Sequence, residues 1–485
     1  MPHTASIRLM SMLVALLWCG FLQAQDGSDK ISILVHDDVL ATIGPGFSGL
    51  HYDGPTHRAW DEVERQTSAM PGAFGSPHCR RQLQAAGVGV ARIFVNQPDV
   101  HPEPRVFDWS ATDARVAEVR EAGMAVMLCL HQRDATWFVG DATTPWWRLP
   151  AGRKEWREFA RVCAQRYHGK VRYYEILNEP NHLKKDKPHY MGWDLSVELF
   201  LDAARQIEAV DRAALIGGAA TWAAWESATW AKRVLARPDG ERLLGFVSYH
   251  IYTSHSVDDT EAQILAKTPW FEEAPVHLRR ELAKLTKKPI LVALTEYNVS
   301  AVFTKDGKPF TDPRNVNTFG GMVTALAMLH SARGGGHMAV HFSTMGGFGL
   351  IRWPPEYQVR RPYHAVRMLH EVAGVRPGAQ VLKTDTSETA KEIKSCAGGT
   401  WTARDVEAFA FRHGNQSSVV LVNKRASGTV HATVTMPGAK EAELYQYSAT
   451  RLPDAIHPLA TIQADNGKLE VSCPAYSVTV LKTKR

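Results

Sequence analysis

Trp156-Arg157-Glu158-Phe159-Ala160-Arg161-Val162-Cys163-Ala164-Gln165-Arg166-Tyr167 repeats its apolar residues at steps of three and four. That is the period of a helix with one buried face. Before it runs Ala125-Val126-Met127-Leu128-Cys129-Leu130-His131, and after it Val171-Arg172-Tyr173-Tyr174-Glu175-Ile176-Leu177, both short, apolar and strand-like. Strand, helix, strand is the repeating unit of parallel sheets. The same alternation continues outward, with strands expected at 47–52, 88–95, 125–131, 171–177, 214–219, 246–252, 290–295 and 338–342. Eight strands, each with room for a helix after it, close most economically into a (β/α)8 TIM barrel over residues 44–375. An open doubly wound sheet is the rival, but no glycine-rich dinucleotide fingerprint follows the first strand.

From about residue 376 the helical period stops. Val406-Glu407-Ala408-Phe409-Ala410-Phe411, Ser418-Val419-Val420-Leu421-Val422, Thr429-Val430-His431-Ala432-Thr433-Val434 and Tyr476-Ser477-Val478-Thr479-Val480-Leu481 read as short strands between turns. Residues 376–485 are therefore expected to form a C-terminal β-sandwich domain. Ile31–Ile43 reads as a strand pair turning at Asp37-Asp38, and residues 25–43 are expected to join that sandwich.

At the N-terminus, Arg8 precedes the apolar run Leu9-Met10-Ser11-Met12-Leu13-Val14-Ala15-Leu16-Leu17-Trp18, and Leu22-Gln23-Ala24 ends in a small residue. This is the pattern of a cleavable export signal over residues 1–24, which implies a secreted or periplasmic protein cut near Ala24. The run is too short to span a bilayer, and no later stretch is long and apolar enough. Removing the signal takes the formal charge only from +6 to +5, and Lys and Arg are scattered, so nucleic acid is not an expected partner. Cys79, Cys129, Cys163, Cys396 and Cys473 remain, an odd number at wide spacing that is neither a disulfide framework nor a zinc pattern. Pairing of Cys396 with Cys473 stays open. The 14 Trp, 13 Tyr and 17 Phe suit either core packing or stacking on sugar rings.

In a barrel enzyme the working residues come from the C-terminal ends of strands and the loops that follow. Those ends supply His51 and Asp53, Arg92 and Asn96, His131 and Gln132, Asn178-Glu179-Pro180-Asn181, His250 and Tyr252, Glu296-Tyr297-Asn298, and His341. Two glutamates at well-separated strand ends can face each other across the barrel mouth. Glycoside hydrolysis needs such a pair, one carboxyl to protonate the leaving oxygen and one to attack C1 or activate water. Trp137, Phe138, Trp146 and Trp147 follow the third strand and suit either a sugar platform or the packing of a long loop. His, Asp and Glu form no metal-ligand spacing, so neither a metal nor another cofactor is expected.

Tyr174-Glu175-Ile176-Leu177-Asn178-Glu179-Pro180-Asn181 resembles the acid/base motif of the large clan of barrel glycosidases that carry catalytic glutamates after strands four and seven. Pro289-Ile290-Leu291-Val292-Ala293-Leu294-Thr295-Glu296-Tyr297-Asn298 resembles its nucleophile motif. Val247-Ser248-Tyr249-His250-Ile251-Tyr252 is similar to the sixth-strand segment of family 39, which holds β-xylosidases and α-L-iduronidases. Gly46-Phe47-Ser48-Gly49 and Val420-Leu421-Val422-Asn423-Lys424 are similar to segments of the family 51 arabinofuranosidases. The resemblance implies a retaining O-glycosidase with Glu179 as acid/base and Glu296 as nucleophile, acting on an oligosaccharide or polysaccharide. It implies that Asn178 holds the sugar 2-hydroxyl and that Tyr252 or His250 donates to Glu296. Arg92 would keep Glu296 ionised, and Glu179 must hold its proton until attack. His51, Asp53, His131 and His341 are candidate supports, and Glu175 reads as structural, paired with a buried cation. Pentosides are the first substrate class, glycans containing uronic acid the second. A non-catalytic carbohydrate-binding protein on the same fold is the rival of another class; both glutamates being present argues against it.

Overall fold

Eight parallel strands close on themselves: β1 (Ser48–His51), β2 (Val90–Asn96), β3 (Ala125–His131), β4 (Tyr173–Ile176), β5 (Leu215–Thr221), β6 (Phe246–Ser254), β7 (Leu291–Ser300) and β8 (Met338–His341). β8 pairs with β7 on one side and with β1 on the other, which closes the (β/α)8 barrel. In this computed structural model residues 30–52, 73–132, 144–181, 190–451 and 454–484 are described. The expected signal over residues 1–24 lies outside them. Among the described residues no helix is long and apolar enough to cross a membrane.

Strand parity fills the barrel in layers. Val90, Met127, Tyr173, Phe246, Ala293, Met338 and Val340 come from the starts of strands and form a buried apolar floor. Two residues further along, Arg92, Cys129, Glu175 and Ser248 form a buried polar layer, because alternate side chains of a strand face the same way. One more step of two reaches the mouth, with His131 and His250. The outward residues of the same strands, Ile93, Leu128, Tyr174 and Val247 among them, pack under the surrounding helices in the main core. The helix Pro150–Tyr167 buries Trp156, Phe159, Ala160, Cys163, Ala164 and Tyr167, the face its periodicity marks.

The C-terminal strands form a nine-stranded mixed sheet that curls as a sandwich does, with its own apolar core of residues such as Ile33, Leu382, Val419, Val434 and Leu469. Lys30–Thr42 lies inside this sheet, antiparallel to Gln380–Thr386 and parallel to Val430–Thr435. It is one strand rather than a strand pair. Val35 faces Thr384 while Val39 faces Leu382, so Asp37-Asp38 sits in a bulge that takes up two extra residues without reversing the chain. Cys79, Cys129, Cys163, Cys396 and Cys473 are all buried and unpaired as disulfides, which answers the question left open for Cys396 and Cys473.

Candidate active site

Arg92 is fully buried and reaches four partners at once. Its Nε donates to Glu175 Oε2 at 2.7 Å, its Nη1 to Glu296 Oε1 at 2.6 Å and its Nη2 to Asn178 Oδ1 at 2.7 Å, with Cys129 Sγ at 3.4 Å. A guanidinium in a dry interior is tolerated only when its charge and its donors are both matched. Burial works against the charged form of Arg92, but the pull of Glu175, then of Cys129 and Glu296, raises it above its ordinary value. Burial likewise pushes the Glu175 carboxyl up, yet Arg92, helped by His250, outweighs it and holds it below the usual carboxylate value. Both shifts describe one buried ion pair. Glu175 is thus the structural partner of a cation, as expected, and the cation is Arg92.

Glu296 stands above this pair, almost wholly buried. Tyr252 Oη donates to its Oε2 at 2.9 Å, so each carboxylate oxygen has a fixed donor. His250 Nδ1 lies 2.7 Å from Glu179 Oε1 and 3.7 Å from Glu296 Oε2, bridging the two glutamates but closer to Glu179. A carboxylate oxygen of Glu179, one of Glu296 and a ring nitrogen of His250 lie within 4.8 Å of one another. Such donors can also hold a cation. Here, however, Arg92 already places a positive charge 2.6 Å from Glu296, where a second cation would meet repulsion.

Local backbone brings Glu179 to this place. Leu177 and Glu179 have φ of 71° and 47°, the left-handed region that L side chains resist at a cost of about 1–2 kcal/mol each. Hydrogen bonds hold the turn: Leu177 N donates to Leu130 O at 3.1 Å and Glu179 N to Ala220 O at 3.0 Å. Between them Gln132 grips the Asn178 backbone at both ends, accepting from its N at 2.8 Å and donating to its O at 2.6 Å. Glu296 is placed by a different device. Tyr249 faces Leu294 but His250 faces Glu296, so β7 carries one extra residue, Thr295, opposite β6. Without that bulge Glu296, one residue beyond Thr295 and three beyond the inward Ala293, would face the helices.

The structure therefore brings together Asn178, Glu179, Arg92, His250, Tyr252 and Glu296. His51 lies inside the barrel between the rings of Phe94 and Phe342, at 4.4 and 4.9 Å, and burial followed by the charge of Arg92 depresses its imidazole well below the ordinary value. His131 meets Asn96 Oδ1 at 3.0 Å. His341 goes elsewhere: it packs edge-on against Tyr297, opposite its own strand position, and its Nδ1 meets Ser343 O at 3.0 Å. Burial holds its pKa down at about 4, so it is a neutral wall residue. Trp146 and Trp147 are buried against each other and Trp156, which settles them as packing rather than a sugar platform. Asp53, Trp137 and Phe138 lie outside the described residues. The Gln132 grip was not foreseen, since nothing local marks a glutamine as the partner of a peptide 46 positions away.

The fold has counterparts among known proteins. Residues 79–318 match the model of Cellulase (glycosyl hydrolase family 5). No curated protein sequence matches the chain. Among solved structures, CelM2, a bifunctional glucanase-xylanase from a metagenome library, is 16% identical with a TM-score of 0.64, the alignment covering 94% of this chain and 99% of that one. The family 51 arabinofuranosidase from Xanthomonas axonopodis pv. citri is 14% identical with a TM-score of 0.67, covering 94% and 100%. A family 30 endoxylanase from Clostridium papyrosolvens C71 is 12% identical with a TM-score of 0.61, again covering 94% and 100%. At these identities the likeness is one of fold. The fold is that of the barrel glycosidases, similar to structures of families 30 and 51 and to the family 5 model, and the likeness does not single out family 39.

Proposed function

We propose that this glycoside hydrolase works by double displacement, with Glu296 as nucleophile and Glu179 as acid/base. The observation that carries the reading is the approach of the two carboxyl groups, whose oxygens come within 4.8 Å. Retaining enzymes hold this pair about 5–5.5 Å apart, whereas inverting enzymes need about 6.5–9.5 Å to admit a water. In the first step a Glu296 oxygen bonds to C1 as the C1–oxygen bond breaks, and the Glu179 proton passes to the leaving oxygen. In the second, Glu179 takes a proton from water, the water oxygen bonds to C1, and Glu296 leaves. Arg92 and Tyr252, one on each Glu296 oxygen, hold the carboxylate in plane for attack. Arg92 also fixes Asn178 Oδ1 as an acceptor, which turns Nδ2 outward as a donor for the sugar 2-hydroxyl. NMR of the first-formed sugar should show the anomer of the substrate. An inverted anomer would remove the nucleophile from the reading.

For substrate we propose pentosides, β-xylosides or α-L-arabinofuranosides, before glycans containing uronic acid. The xylanases and arabinofuranosidases of similar fold support this order. Release of 4-nitrophenol from a panel of pentosides, hexosides and uronides tests it directly. Turnover confined to uronides would reverse the order.

Gln132 then acts as a positioning residue, because it fixes the peptide that precedes the acid. Gln132→Ala should lower kcat/KM by about 10- to 100-fold for glycosides with poor leaving groups, less than the roughly 100- to 10,000-fold of full general acid help because Glu179 itself is kept. Activated aryl glycosides should lose much less in the same variant. A uniform loss across leaving groups would reduce Gln132 to a purely structural part.

A further inference from the structure

Trp222 is a large apolar side chain left 43% exposed at the barrel mouth, immediately after Thr221 ends β5. Its surroundings fix it in place. Its backbone N donates to Asn181 Oδ1 at 3.4 Å, Asn181 Nδ2 donates to Glu226, and Glu226 also accepts from the Trp222 side chain. His255, just beyond β6, packs edge-on against the indole with ring centroids 6.1 Å apart. The same stretch touches the acid: Ala220 O, two residues before Trp222, accepts from Glu179 N, and Asn181 is two residues after Glu179. An indole held by these neighbours and still 43% exposed offers an apolar surface on which a sugar ring can stack.

We propose that Trp222 is the platform of a binding site for the leaving sugar, so that the bond cleaved joins two sugars. This rests on the acid/base reading of Glu179. The oxygen that Glu179 protonates belongs to the leaving group, so that group must lie on the Glu179 side of the mouth, where Trp222 stands. A pyranose presents an apolar C–H face and a rim of hydroxyls. The indole covers the face, while Glu226, Asn181 and His255 surround it with groups that can meet the rim.

The covalent intermediate isolates this site, because an acceptor sugar must occupy it to intercept the intermediate in place of water. The donors are 4-nitrophenyl pentosides, hexosides and uronides, none of which places a sugar there, and the acceptors are β-1,4-xylobiose and cellobiose. The readout is the ratio of transfer product to hydrolysis product for any donor that turns over. Trp222→Ala should lower that ratio about tenfold, the scale of one lost aromatic stacking contact, and Trp222→Phe should keep most of it. An unchanged ratio in Trp222→Ala, or no transfer product from the wild type while hydrolysis proceeds, overturns the platform alone. Failure of every donor overturns the glycosidase reading beneath it.

Discussion

Glu179→Ala and Glu296→Ala are expected to fail in different ways. Loss of Glu296 removes the covalent step, so hydrolysis should collapse for every leaving group. Loss of Glu179 removes only proton donation and later base help, a contribution of roughly 100- to 10,000-fold. Poor leaving groups should lose about that much in kcat/KM. Aryl groups of low pKa need little protonation, so their first step should survive and the glycosyl-enzyme should accumulate. Azide can attack that intermediate without a base and should give the glycosyl azide in the anomeric configuration of the substrate. The two carboxyls share His250 and lie close together, so a merely positional difference cannot produce this split. Equal losses in Glu179→Ala at every leaving-group pKa, with no azide product, would show that the acid/base is another residue.

Arg92→Met should damage both folding and activity. The change leaves Glu175 buried without its counter-charge and removes the donors to Glu296 and Asn178. Breaking a buried ion pair from one side costs about 3–5 kcal/mol, which differential scanning calorimetry would read as a large fall in Tm. Adding Glu175→Gln removes the stranded charge, so the double variant should recover much of the Tm while activity stays low, because Glu296 Oε1 still lacks the Arg92 donor. The pH dependence has a definite sign. In the wild type Arg92 holds Glu175 below its unfolded value, so the pair contributes stability at neutral pH and loses it as pH falls through the folded value. In Arg92→Met the stranded carboxyl favours its protonated form, so that variant should instead gain stability on acidification. Recovery of activity together with Tm in the double variant would mean that Arg92 only holds the barrel together.

Much of this was legible in the residues themselves. Burial of one helix face forces a period of three and four on 156–167, and burial of both faces forces apolar runs such as 125–131, so the eight barrel strands show in composition alone. Strand ends point to Arg92, Asn178, Glu179, His250, Tyr252 and Glu296, but equally to His51, Asp53, His131 and His341, because a barrel displays its working groups there. Which way a strand-end side chain turns is not a local property. Glu296 faces the mouth only because Thr295 bulges against β6, and His341 stays in the wall because nothing reverses its outward parity. A bulge is set by two strands pairing across the sheet, and neither sequence states the register alone. The same holds for Gln132, which meets its peptide across the β3–β4 seam, and for Asp37-Asp38, which reads as a turn until a neighbouring strand holds the chain straight. Local periodicity is written by burial and so survives in the sequence; the aim of the glutamates is written by pairing between distant segments and exists only once the barrel has closed.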